Sequence, residues 1–200
     1  MKLLLMADME QQEYWYPSPE MLEDIDLILS AGDLKPEYLN RLAAAGLATA
    51  GKTYLLYVHG NHDSRYPADL SKNCVDADGD LLIVKGLRIL GLGGSLRYKP
   101  GPYQYSEEEM LRRIDGLAPK IRDHHGVDII LTHVPPRGIG DRNDPVHRGF
   151  DCFLPLLDRV KPVYLVHGHV HLPEEQVSER IKHYGETAVI NACGSYLLEF

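Results

Sequence analysis

Five apolar runs in this chain each lead into residues that make good metal ligands. Leu3–Ala7 runs into Asp8, with Glu10 two residues on, and Leu27–Leu29 leads to Gly32-Asp33. Tyr54–Val58 leads to Gly60-Asn61-His62-Asp63, Ile129–Leu131 to His133, and Tyr164–Val166 to Gly168-His169-Val170-His171. Carboxylate, amide and imidazole donors of this kind suit hard or borderline divalent cations. Strand ends in one sheet converge on one rim, where α/β folds place their ligands.

Each signal alone has an ordinary reading. Asp33, at a tight turn after a strand, could direct both oxygens into one cleft and bridge two cations, yet a strand-end Asp is often a cap or turn residue. His169 and His171 share a face if extended and serve two different metals if the chain bends there. Asn61 offers a neutral hard oxygen and His62 could face a substrate, but Asn-His after Gly is also plain turn chemistry. His133, before Pro135-Pro136, could equally be a core histidine bonded to a backbone group. The weight lies in the company these residues keep.

The elements that must position them alternate in βαβ fashion through the first half: strand Lys2–Ala7, short helix Pro19–Asp24 behind a Ser18 cap, strand Leu27–Ser30, helix Pro36–Ala50, strand Thr53–Val58. Leu81–Val84 and Leu87–Leu92 flank Lys85-Gly86 as a hairpin. Ser106-Glu107-Glu108-Glu109 reads as a capping box, followed by Met110, Ile114, Leu117 and Ile121 at helical spacing. Asp128–Thr132 and Val163–Val166 read as strands around a helix Phe150–Val160. The tail segments Glu175–Ser178, Ala188–Ala192 and Ser195–Phe200 read as antiparallel strands. The expected fold is α/β, with two mixed sheets packed together and helices outside, in one domain over residues 1–200.

Composition narrows the function. At 200 residues and 44% hydrophobic content the chain can bury a core without staples. Cys74, Cys152 and Cys193 are odd in number and widely spaced, which argues against a disulfide framework and for a cytoplasmic location. No run has the length of a signal-peptide core or a membrane span, so no membrane partner is expected. Lys and Arg number 21 against 29 Asp and Glu, a net charge of −8, which disfavours long nucleic acid. Two divalent ions would add about +4 locally and still draw phosphate to the site.

Taken in order, Asp8, Gly32-Asp33, Gly60-Asn61-His62-Asp63, His133 and Gly168-His169-Val170-His171 resemble the motifs of the calcineurin-like metallophosphoesterase superfamily, over most of the chain. The stretch Thr132–Gly138, with Asp141 and His147–Phe150, is similar to small bacterial members. The resemblance implies a four-layer αββα sandwich, two mixed β-sheets flanked by helices, and a two-metal hydrolase of small phosphate esters. It places Asp8, Asp33 and His171 on one metal, Asp33, Asn61, His133 and His169 on the second, and His62 beside the leaving group. The family's usual Asp-x-His is here Asp8-Met9-Glu10. Glu10 could ligate through oxygen, favouring manganese or magnesium over zinc, or point away and leave that metal short of a ligand. Manganese is the first expectation, with iron, zinc, magnesium or nickel as alternatives. Two cations about 4 Å apart would share a water and lower its pKa toward neutrality, giving a metal-bound hydroxide nucleophile. His62 would then act as proton donor, oriented by Asp63.

Other residues stay open. His59 and His167 either orient ligands or face away, and Arg137, His147 and Arg148 lie in a loop long enough to reach over the rim. Tyr14, Trp15, Tyr16, Tyr98, Tyr103 and Tyr105 form a base-stacking surface, a dimer contact or a local minicore. A phosphodiester substrate is preferred because no basic pocket for a dianionic monoester is evident. The rival reading is a metal-poor binding scaffold on the same fold, and the protein could form a homo-oligomer.

Overall fold

The computed structural model describes residues 1–67 and 70–200. In chain order the strands are β1 (Lys2–Ala7), β2 (Leu27–Ser30), β3 (Tyr54–Tyr57), β4 (Cys74–Asp76), β5 (Leu81–Val84), β6 (Leu87–Leu92) and β7 (Ser95–Leu96). They continue as β8 (Gln104–Tyr105), β9 (Ile129–Thr132), β10 (Tyr164–His167), β11 (Ile181–Tyr184), β12 (Thr187–Asn191) and β13 (Gly194–Glu199). The helices are α1 (Pro36–Leu47), α2 (Glu107–Asp123) and α3 (Phe153–Val160). One sheet has the order β13-β1-β2-β3-β4 and the other β11-β12-β10-β9-β6-β5. Both are mixed: β1 to β4 are parallel neighbours with β13 antiparallel to β1, and β6, β9, β10 and β12 are parallel with antiparallel edges.

The continuous apolar runs follow from burial on both faces. In β1, Leu3, Leu5 and Ala7 enter the core between the sheets, with Leu27, Leu29 and Leu56 of the same sheet and Ile89, Ile129, Leu131, Val166 and Ile190 opposite. Their alternates Leu4, Met6, Ile28 and Leu55 pack under α1 with Tyr38, Leu39 and Leu42. On the far side Leu90, Ile130, Leu165 and Val189 meet Met110, Ile114 and Leu117 of α2 and Phe153, Leu156 and Leu157 of α3. The result is four layers, helix on sheet on sheet on helix.

Local chemistry supports the elements. Ser106 and Glu109 form the reciprocal capping box of α2. Lys85 and Gly86 both have positive φ, 48° and 85°, as a two-residue hairpin turn with right-handed strand twist requires. Three expectations are corrected. Pro19–Leu22 is a 3-10 turn in which the Ser18 side chain makes no cap. Glu174–Glu179 is 3-10 rather than strand, and the antiparallel edge is β11, just after it. β12, expected to be antiparallel, runs parallel to β10 and is antiparallel only to β11. Among the described residues no helix is long and apolar enough to cross a membrane.

Arg88 in β6 grips Asp128 at the start of β9 through Nε (2.9 Å) and Nη2 (2.6 Å), and its backbone amide donates to the same carboxylate at 2.8 Å. The guanidinium bonds hold the Asp128 carboxyl below its ordinary range. A depressed folded pKa gives stability that is present above the unfolded value and lost as pH falls through the folded one. Asp128→Asn should therefore cost about 2 kcal/mol at pH 7, with the gap to wild type closing below about pH 4 in urea melts. A gap that does not change with pH would count against the ion pair.

Candidate metal centre

Two rare turns open the site. Asp8 follows β1 with φ 62°, and the Met9 amide bonds back to the Ala7 carbonyl at 2.6 Å. His169 follows β10 with φ 67°, and the Val170 amide bonds back to the Gly168 carbonyl at 2.8 Å. These are γ-turns with a positive φ at a side-chain-bearing residue, a strained conformation that points each side chain off its strand end. The turns face one another across the sheets, and the His169 amide donates to both Asp8 carboxylate oxygens at 3.0 and 2.9 Å. Gly168 permits this approach, since a Cβ there would lie 2.6 Å from Asp8 Oδ2.

Asp33, also left-handed at φ 57°, follows β2. Its Oδ1 accepts the His62 amide at 2.9 Å, and its Oδ2 lies 3.3 Å from Nε2 of His133. His133, fully buried at the end of β9, donates Nδ1–H to the Ala31 carbonyl at 2.7 Å, which turns Nε2 toward Asp33 and the Asn61 amide oxygen at 2.9 Å. His169 donates Nε2–H to the Val146 carbonyl at 2.7 Å, leaving Nδ1 as its lone-pair nitrogen. Asp33, His133 and His169 place one ligand atom each within 4.8 Å of one another. One hard oxygen and two imidazoles with fixed tautomers fit a divalent cation.

The charges match that reading. Burial lifts the Asp8 carboxyl to about 7, with the Asp33 charge adding to it against the pull of His133. Burial also pushes Asp33 up, but the His133 ring and the His62 amide outweigh it and hold Asp33 at about 2. Burial depresses His133, yet Asp33, then Asp8, carry it up to about 9. His169 falls to about 3 through burial and the charge of His133.

The remaining predicted residues divide. Asp8, Asp33, His62 and His171 line one cavity of about 340 Å³ with His169, and His171 is exposed there. A second cleft of about 600 Å³ shares Asp8, Asp33 and His62 and adds Glu10 and Asp63. Glu10 is held by Lys35, whose amide and Nζ donate to its two oxygens, both at 3.0 Å, and it does not join Asp33, His133 and His169 in the cluster. Asp63 does not orient His62 as expected. Its Oδ2 accepts the amides of Asp33 (3.0 Å) and Gly60 (2.8 Å), so it fixes the two ligand loops against each other. His167 is buried and bonds the Gly168 carbonyl, whereas His59 stacks on Tyr103 beside Tyr57 and Tyr66. Trp15 joins the minicore on Tyr38, while Tyr16 is exposed.

Sequence reasoning missed the Val146 and Ala31 carbonyls and Arg142, which lines the smaller cavity and donates to the His171 carbonyl at 2.7 Å. Backbone acceptors carry no residue-type signal. Tyr98 stood out only as an aromatic, and the structure joins its hydroxyl to Asn61 Nδ2 at 3.1 Å.

A cation taken up by His133 Nε2 and the Asp8 carboxylate must displace their protons, so affinity rises with pH while those groups are protonated. Manganese affinity should therefore increase from pH 6 through 7 toward 9, with net proton release seen by calorimetry in buffers of different ionisation enthalpy. Affinity that is flat over this range would contradict the ligand assignment.

Comparison with known proteins agrees with the geometry. UPF0046 protein T07D4.2 of Caenorhabditis elegans is 29% identical over 127 residues, covering 62% of this chain and 30% of that protein. UPF0046 protein K07C11.7 of the same organism is 26% identical over 215 aligned positions, covering 96% of this chain and 69% of that protein. The chain thus spans under a third of the first relative and about two thirds of the second. The crystal structure of TT1561 of Thermus thermophilus shares the fold with TM-score 0.68 at 16% identity, covering 96% of this chain and 89% of that one. Another crystal structure does so with TM-score 0.65 at 17% identity, covering 98% and 94%. The sequence profile of the calcineurin-like phosphoesterases matches residues 1–173, and the chain belongs to that family.

Proposed function

We propose that this chain is a metal-dependent hydrolase of small phosphate esters, with diesters preferred, and that it holds two divalent cations, manganese first. The observation that carries the reading is the convergence of Asp33, His133 and His169 with their tautomers already set by backbone carbonyls. Asp33, Asn61, His133 and His169 would hold one cation, and Asp8, Asp33 and His171 the other, with Glu10 joining the second set only by leaving Lys35. Bound cations would supply an activated water and neutralise charge on the phosphoryl oxygens.

The chain's own groups do the rest. His62 is exposed at the mouth, shared by both cavities, and its backbone is pinned by the Asp33 carboxylate. Its imidazole would give a proton to a departing alkoxide. Asp63 acts through position, tying the Asp33 and Gly60 amides. The diester preference follows from the cations lining these cavities among the described residues. Lys35 is neutralised by Glu10, and Arg142, which spends one nitrogen on the His171 carbonyl and keeps its charge, is the one arginine lining them, so a single guanidinium stands opposite the phosphoryl group, which suits a monoanionic diester better than a dianionic monoester. The Lys35 clasp is also the one observation favouring a metal-poor binding scaffold.

Protein stripped of metal and resupplied with manganese should hydrolyse bis-p-nitrophenyl phosphate faster than p-nitrophenyl phosphate. Asp33→Ala should lower turnover at least about a hundredfold and remove bound metal. Silence on both esters would favour the scaffold. His62→Ala should lower kcat about a hundredfold at unchanged metal content, and loss of metal would make His62 a ligand instead. Lys35→Met should free Glu10 and tighten the weaker of two manganese sites in an equilibrium titration; an unchanged isotherm would remove Glu10 from the ligand set.

A further inference from the structure

Beside the metal centre lies a cavity of about 380 Å³, lined by Arg97, Tyr98, Arg137, Asp144 and Arg148 among others. Three guanidinium groups around one cavity are unexpected in a chain of net charge −8. Each is braced by a carboxylate: Arg97 by Glu109 at 2.6 Å, Arg137 by Asp141 at 2.8 Å, Arg148 by Asp151 at 3.3 Å. None of those three carboxylates lines the cavity. A guanidinium has five N–H donors, and one or two nitrogens of each are used in these bonds, so donors remain for a ligand while the braces fix their direction. The lining carboxylate, Asp144, is turned to its own loop, with Oδ1 accepting the Val146 and His147 amides and both oxygens meeting His147 Nδ1, all at 3.0 Å, so one negative charge stands against three guanidinium groups.

Two shared walls join this cavity to the metal centre. Tyr98 lines it, and its hydroxyl accepts from Asn61, whose other amide atom meets His133 Nε2. Asn143, Asp144, Pro145 and Arg148 of one loop also line it, and the Val146 carbonyl of that loop holds His169. The cavity and the ligand cluster are thus linked through the Tyr98 hydroxyl and through the Val146 backbone carbonyl.

We infer that this cavity binds a second phosphoryl group of the substrate, so that the natural substrate is a small phosphate ester with another phosphate away from the scissile one. This rests on the hydrolase reading. It is compatible with a preference for diesters, since the additional charge is met by Arg97, Arg137 and Arg148 rather than at the cations.

The test compares thymidine 5′-(p-nitrophenyl phosphate) with and without a 3′-phosphate. Wild type should favour the 3′-phosphorylated ester about tenfold in kcat/KM, and Arg148→Gln should bring the ratio toward one. Arg148 is a suitable probe because its side chain is half-exposed and its described bond is to the equally exposed Asp151 carboxylate. A wild-type ratio near one, or a ratio unchanged by the substitution, would overturn the inference while leaving the hydrolase reading intact. If neither ester is turned over, bis-p-nitrophenyl phosphate decides the hydrolase reading, and calorimetric titration of inorganic pyrophosphate into the full chain in EDTA decides the cavity separately. Saturable binding weakened about tenfold by Arg148→Gln would support it, and no binding, or binding unaffected by the substitution, would overturn it.

Discussion

The hydrogen bond on which the site depends most is that from His133 Nδ1–H to the Ala31 carbonyl. It crosses from the end of β9 in one sheet to the end of β2 in the other, between residues 102 apart in sequence. It satisfies a buried donor that would otherwise cost about 1–3 kcal/mol, and it fixes which ring nitrogen faces the cluster. That nitrogen, Nε2, then meets Asp33 and Asn61, both carried by the opposite sheet. Remove that bond and the imidazole is free to turn away from Asp33 and Asn61, leaving the bond between the His169 amide and the Asp8 carboxylate as the other tie across this rim.

Backbone strain does the complementary work. Asp8, Asp33 and His169 all lie at positive φ, each at a cost of about 1–3 kcal/mol. Tight turns throw a side chain off the end of its strand and into the cleft, which an extended continuation would not do. The strain is offset locally: the His169 amide binds the Asp8 carboxylate, and the Asp63 carboxylate binds the Asp33 and Gly60 amides. Glycine at 60 and 168 lets these pieces approach, because a Cβ at either would overlap a ligand carboxylate. The doubly buried strands beneath give the rigid platform against which this strain is held.

Much of this was legible in the sequence. Unbroken apolar runs such as Leu3–Ala7 and Ile129–Leu131 can be buried only on both faces, so two packed sheets with helices outside followed from them, and the residues at their ends had to share a rim. The capping box at Ser106 and the Lys85-Gly86 hairpin are local chemistry and appeared as read. What was hidden depends on distant partners or on backbone. Lys35 lies 25 residues from Glu10, and nothing local announces that its amide and its ammonium both bond that carboxylate. Asp63 adjoins His62, which suggested a catalytic pair, yet its bonds go to the Asp33 and Gly60 amides. β12 carries no mark of direction, and its parallel pairing is set by the crossover from β10 through the β11 edge. Arg97, Arg137 and Arg148 come from two loops, so their shared cavity exists only in three dimensions.

The most direct measurement is anomalous diffraction at the manganese edge from crystals grown with manganese. The account predicts a peak enclosed by Asp33, Asn61, His133 Nε2 and His169 Nδ1, with a second beside Asp8, Asp33 and His171. The absence of any peak among Asp33, His133 and His169, with manganese bound elsewhere or not at all, would contradict it.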